Sequence, residues 1–141
     1  MHAEDFPLRL LDFPVRGDER GSLVALEALS DKIPFEIKRV YYIFDTSCGV
    51  TRGKHAHNRL QQVLVAVSGS CDILLDNGYS QKTIRLDSPA QGLYLSGFLW
   101  REMSNFSSDC VLMVLTSEHY DEKDYVRNYN EFLRLARKKT L

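Results

Sequence analysis

Two histidines, His55 and His57, sit two residues apart in the stretch from Gly49 to Gly69, GVTRGKHAHNRLQQVLVAVSG. Unperturbed imidazole has a pKa of about 6.5, so either ring can take a proton from a carbon beside a carbonyl at neutral pH and give one back. Residues i and i+2 of a strand face the same way, which would place both rings on one side, about 7 Å apart along the chain. Gln62 comes five residues after His57, where the next apolar run begins. Arg52 precedes the histidines, and Arg101 lies in Trp100-Arg101-Glu102-Met103-Ser104-Asn105. A guanidinium fork matches the oxygens of a phosphate. The plainer alternatives are a solvated charge for each arginine and a pair of sheet-lining polar residues for His-x-His. The spacing of the whole set favours a functional site over a merely structural one.

The elements that must hold these residues read as strands. Glu36 to Phe44, Gln62 to Ser68, Cys71 to Asp76, Gln81 to Leu86 and Cys110 to Thr116 are rich in β-branched and aromatic residues. Asp76-Asn77-Gly78 separates two of them as a tight hairpin turn. Further breaks are expected at Gly69, Ser88-Pro89, Gly92 and Gly97. This spacing predicts an all-β fold, an antiparallel sandwich or barrel. From Asn130 to Lys139 the period changes, and Phe132, Leu133, Leu135 and Ala136 make a helical apolar stripe. Asn130 is the expected cap, and the helix is expected to lie on the outside of the barrel.

A chain of 141 residues suits one domain, 1–141, around one core. Its net charge of −1 points to neither nucleic acid nor an anionic membrane as partner. Cys48, Cys71 and Cys110 are odd in number and far apart in sequence, which suits a reducing compartment, and a cytoplasmic location is expected. The opening MHAEDFPLRLLDF has acids and no long apolar stretch, unlike a secretory signal. No apolar run approaches the length that spans a bilayer.

The set Gly49, His55, His57, Gln62, Gly69 resembles the first motif of the cupin superfamily, G-x5-H-x-H-x4-E-x6-G, with every spacing kept. The resemblance implies a cupin jelly-roll barrel. Metal-binding cupins carry glutamate at the position of Gln62 and a third histidine at that of Arg101. Two imidazoles, an amide and a permanent cation form a poor site for a divalent ion, so neither metal nor cofactor is expected.

A narrower resemblance covers about Asp18 to Phe132. Arg20-Gly21-Ser22-Leu23, Lys38-Arg39-Val40-Tyr41-Tyr42-Ile43-Phe44-Asp45, Arg52-Gly53-Lys54-His55-Ala56-His57, Trp100-Arg101-Glu102-Met103 and Tyr120-Asp121-Glu122-Lys123-Asp124-Tyr125 are similar to the dTDP-4-keto-6-deoxyglucose 3,4-ketoisomerases. Membership would imply an isomerase acting on a dTDP-linked keto-sugar and moving its carbonyl from C4 to C3. The product would lead to 3-amino-3,6-dideoxy sugars of surface polysaccharide such as lipopolysaccharide O-antigen. It would also imply a metal-free homodimer that exchanges N-terminal strands. The site would comprise His55 and His57 as acid/base residues and Arg20, Arg52, Gln62 and Arg101 as substrate contacts. Tyr41 would either join the proton transfer or simply pack. Family members with Arg at the position of Arg20 tend to give the galacto product, and those with Arg at the position of Arg101 the gluco product. This chain has both, and its overall similarity leans galacto. A dTDP-sugar 3,5-epimerase, a metal-dependent cupin and a non-catalytic sugar-nucleotide-binding cupin are the competing classes.

Overall fold

A computed structural model of the chain describes residues 6–138. Twelve short strands precede one helix: β1 (Leu8–Asp12), β2 (Arg16–Asp18), β3 (Gly21–Leu23), β4 (Arg39–Ile43), β5 (Arg52–His57), β6 (Gln62–Ser68), β7 (Cys71–Asp76), β8 (Gln81–Leu86), β9 (Gln91–Leu95), β10 (Trp100–Ser104), β11 (Val111–Thr116), β12 (Tyr125–Val126) and α1 (Tyr129–Lys138). A 3-10 turn, Glu122–Asp124, leads into β12. Two five-stranded antiparallel sheets face each other, in the orders β1-β9-β6-β11-β4 and β12-β5-β10-β7-β8, and β2 and β3 form a separate hairpin. This is the expected all-β jelly roll with a helix on its outside.

The inward faces interdigitate around Leu64, Ile73, Leu75, Leu93, Leu95, Met103, Leu112 and Val114. Each strand supplies alternate residues to that layer, which is why β7 buries Cys71, Ile73 and Leu75 in turn. The outer face of the first sheet is partly covered by the segment carrying Ile33 and Phe35. The outer face of the second, with Ala56, Trp100 and Val126, receives Phe132 and Ala136 of α1.

Three local expectations change. The cap of α1 is Asn128, whose side chain accepts from Glu131 N–H at 2.9 Å; Asn130 already lies within the first turn. The expected helix end at Lys139 lies outside the described residues. Gly92 is no break but lies inside β9, where the Phe13 ring fills its missing side chain: an added Cβ would meet Phe13 at 2.5 Å. Cys71 and Cys110, distant in sequence, are buried neighbours with free thiols, and burial together with the neighbouring Cys110 pushes Cys71 up to about 12. The 76–78 turn forms as expected, with Gly78 at φ +94° and Asn77 Oδ1 accepting from the N–H groups of Tyr79 and Ser80.

Candidate active site

β5 is the strand on which the site is built. Its pairing with β10 slips by one residue: Arg101 faces His55, but Met103 faces Arg52. The extra residue on β5 is accommodated at Gly53, whose φ of +70° suits glycine. Simple alternation would send Arg52 to the face opposite His55. The bulge turns it back, so Arg52 and His55 line one cavity. Lys54 and Ala56 keep the other face, Lys54 in solvent and Ala56 under α1.

That cavity, about 220 Å³, is walled by Arg39, Tyr41, Arg52, His55, Tyr125 and Arg127, among others. Ligand pockets for drug-sized molecules run about 300–1,000 Å³, so this hollow admits a sugar-sized group and leaves larger appendages at its mouth. Larger hollows, 460 and 510 Å³, border the β2–β3 hairpin, but no histidine or tyrosine lines them.

His55 and His57 share a face as predicted, and closer than backbone spacing alone implies. Their Nε2 atoms are 2.9 Å apart, and the rings meet edge to face at 4.6 Å between centroids. His57 Nδ1 lies 3.3 Å from Asp124 Oδ2. The Tyr125 ring packs against both, tilted at 4.9 Å from His55 and edge-on at 4.3 Å from His57. Burial, reinforced by the neighbouring Arg101 cation, holds His55 down to about 3 and His57 down to about 2, so both rings are neutral at physiological pH. Tyr41 is raised above its ordinary value by burial and by Tyr125, against the pull of Arg101 and Arg39.

Arg101 is 1% exposed and donates to Gln62 Oε1 and, at 3.0 Å, to Leu99 O. Burial lowers it to about 10, which leaves it cationic at neutral pH. It therefore stands buried beside the histidines and not at the cavity mouth. Arg52 lines the cavity, and the structure adds Arg39 and Arg127 beside it. Gln62 Oε1 accepts from Arg101, and its Nε2 hydrogen-bonds neither histidine. Arg20 is set apart: its side chain is 84% exposed on the β2–β3 hairpin and paired with Asp18 at 2.5 Å. Tyr41, Arg52, His55, His57, Gln62 and Arg101 are brought together; Arg20 is not.

Four buried side-chain polar atoms among the described residues lack a partner, and three of them are His55 Nδ1, Gln62 Nε2 and Arg101 Nε. Leaving such an atom unpaired costs about 1–3 kcal/mol, so three at one spot mark a place where a polar ligand belongs. Among the described residues, no three His, Cys, Asp or Glu side chains form a metal-holding cluster. With Arg101 beside the histidines, the donor set does not suit a divalent ion.

Sequence reasoning missed Tyr125, Arg127, Asp124 and Arg39 as site residues. Arg127 lies over the Tyr125 ring at 4.4 Å and is fixed by Glu122 at 2.6 and 2.9 Å. Arg39 lies over Tyr41 at 4.7 Å. The pairing of β12 with β5, Tyr125 opposite His57, brings this stretch to the histidines.

Residues 7–137 match the family described as FdtA: WxcM-like, C-terminal. The chain is 55% identical, over 88% of each sequence, to the TDP-4-oxo-6-deoxy-alpha-D-glucose-3,4-oxoisomerase of Aneurinibacillus thermoaerophilus. It matches the sugar 3,4-ketoisomerase QdtA of Thermoanaerobacterium thermosaccharolyticum, solved with TDP, with a TM-score of 0.92 and 44% identity, covering 96% of this chain and 98% of that one. It also matches the TDP-quinovose 3,4-ketoisomerase WlaRB of Campylobacter jejuni with a TM-score of 0.85 and 52% identity, covering 90% and 97%.

Proposed function

From the premise that the chain belongs to the FdtA family of TDP-sugar 3,4-ketoisomerases, we propose that it converts dTDP-4-keto-6-deoxyglucose to the 3-keto-6-deoxy sugar, with His55 as the base. The enzyme is an isomerase. The observation that carries the residue assignment is the unpartnered His55 Nδ1 in a cavity that also holds Tyr41 and Arg52.

The C4 carbonyl acidifies the proton on C3. His55 takes that proton, and the electrons move into a C3–C4 double bond with negative charge on O4. Arg101, a buried cation beside the histidines, stabilises that charge in a dry setting where it counts most. A proton to O4 completes the enediol. Loss of the O3 proton, relayed through the His55–His57 pair, and delivery of a proton to C4 place the ketone at C3. Tyr41 lines the same cavity and is the second candidate for the C4 transfer. The diphosphate lies against Arg52, Arg39 and Arg127, and its charge offsets the cationic field that depresses His55.

For the configuration at C4 we read Arg101 as deciding, and the product as gluco. Arg101 is buried beside His55, whereas Arg20 stands on an exposed hairpin that could meet a cavity only across a dimer. The 52% identity to a TDP-quinovose ketoisomerase supports this reading over the galacto lean of overall similarity. Proton NMR of the product, trapped by a 3-aminotransferase, tests it. An amine at C3 beside an equatorial C4 hydroxyl is expected; an axial hydroxyl would reverse the configuration, and a sugar left unaminated with its carbonyl still at C4 and an inverted ring carbon would mean epimerisation.

The same family reading supplies a homodimer with exchanged N-terminal strands and a product passed to amination for surface polysaccharide. The β2–β3 hairpin is exposed throughout, and an apolar groove runs between it and Val65, Val67 and Met113, which supports a second copy as its cover.

A further inference from the structure

Asp124 is 6% exposed and closes the 3-10 turn before β12. It is held from both sides. Its Oδ1 accepts from Arg59 N–H at 2.9 Å, and its carbonyl accepts from Asn58 N–H at 3.1 Å and Asn58 Nδ2 at 3.2 Å. Its Oδ2 is left for His57 Nδ1 at 3.3 Å, a separation typical of catalytic hydrogen bonds before a ligand tightens them.

The proton order along this line follows from donor chemistry. A carboxylate only accepts, so His57 Nδ1 carries a hydrogen. Each buried ring is neutral and has a single N–H, so His57 Nε2 is bare. His55 Nε2, 2.9 Å from it, must then donate. That removes the hydrogen from His55 Nδ1, the ring nitrogen that has no partner.

We propose that Asp124 is a positioning residue that fixes the tautomers of both histidines and thereby leaves the lone pair of His55 Nδ1 as the proton acceptor. The catalytic half of this rests on the reading of His55 as base; the tautomer half does not. Asp124→Asn makes the two separable. The Arg59 N–H keeps the amide oxygen at its own position and turns the NH₂ toward His57 Nδ1. His57 must then accept there, carry its hydrogen on Nε2 and donate to His55 Nε2. His55 would hold its hydrogen on Nδ1, where the base should be. A comparable inversion in a Ser-His-Asp triad lowers kcat by about 10⁴.

The test is a long-range ¹H–¹⁵N correlation on ¹⁵N-histidine enzyme with dTDP bound, beside turnover and dTDP affinity. Wild type is expected to show His57 as the Nδ1–H tautomer and His55 as Nε2–H. D124N is expected to reverse both and lose turnover by about 10³- to 10⁴-fold with dTDP affinity kept, and D124E to restore the wild-type pattern. Unchanged tautomers in D124N would overturn the proposal. So would a wild-type spectrum with His57 protonated at Nε2, which decides the matter even should the Asn variant not fold. Reversed tautomers with full turnover would leave Asp124 in control of the ring protons and overturn His55 as base.

Discussion

Arg101 and His55 face each other in register on β10 and β5, so a buried guanidinium adjoins the ring proposed to take the proton. The cation disfavours imidazolium and favours an oxyanion. On the proposed mechanism the base is thereby kept unprotonated in a site that would stabilise the charge its own action creates.

The pH profile should carry this signature. With His55 depressed to about 3 by burial and Arg101, kcat/KM should show no acid limb near the usual histidine pKa of about 6.5 and should stay flat down to about pH 5. Arg101→Met removes the cation, so the limb should move toward neutral pH while kcat falls. An acid limb centred near the ordinary histidine value in the native enzyme would contradict the assignment.

Stability should respond to the same groups. The folded pKa values of His55 and His57 lie below the unfolded value, so the unfolded chain binds more protons between them. Stability is then full above about pH 6.5 and falls with acid, by up to about 1.4 kcal/mol per histidine for each pH unit. Urea midpoints between about pH 7 and pH 5 measure this before Glu122, held down to about 2 by Arg127 and Tyr120, begins to titrate. His55→Asn should flatten the slope by roughly half.

The bulge at Gly53 is predicted to govern binding. Gly53→Ala would force a φ of +70° on a residue with a Cβ, at a cost of about 1–3 kcal/mol, and would disturb the aim of Arg52. Arg52→Ala should raise KM and weaken dTDP binding about tenfold, with a smaller effect on kcat. Calorimetric titration with dTDP and steady-state kinetics on both variants separate folding from binding.

Light scattering should find the native enzyme at twice the 16.2 kDa chain mass. Leu23, 58% exposed beside the apolar groove, is the residue to charge. Leu23→Glu should shift the population to monomer with the circular dichroism spectrum unchanged. A native monomer would remove strand exchange from the account.

What the sequence disclosed followed from how its signals are physically encoded. The bounds of β6, β7 and β8 could be read because apolar runs end at turn residues such as Gly69 and Asn77-Gly78. β12 could not, since two residues show no alternation. His55, His57 and Gln62 lie within one strand–turn–strand unit, so their spacing carried the geometry. Asp124 lies 67 residues after His57, and no local pattern encodes that contact. Tyr125 and Arg127 belong to the same distant stretch. Arg52 needed the bulge: Gly53 was visible, but its left-handed conformation was not. The helical stripe was legible and its cap was misplaced by two residues, because Asn128 and Asn130 are equally good caps out of context.

The central claim is that His55 removes the C3 proton. Incubation of native enzyme and His55→Asn with dTDP-4-keto-6-deoxyglucose in deuterium oxide, followed by proton NMR, tests it most directly. The account predicts loss of the C3 signal and deuterium in the product with native enzyme, and neither with His55→Asn, at equal dTDP affinity. Exchange at C3 that continues without His55 would contradict it.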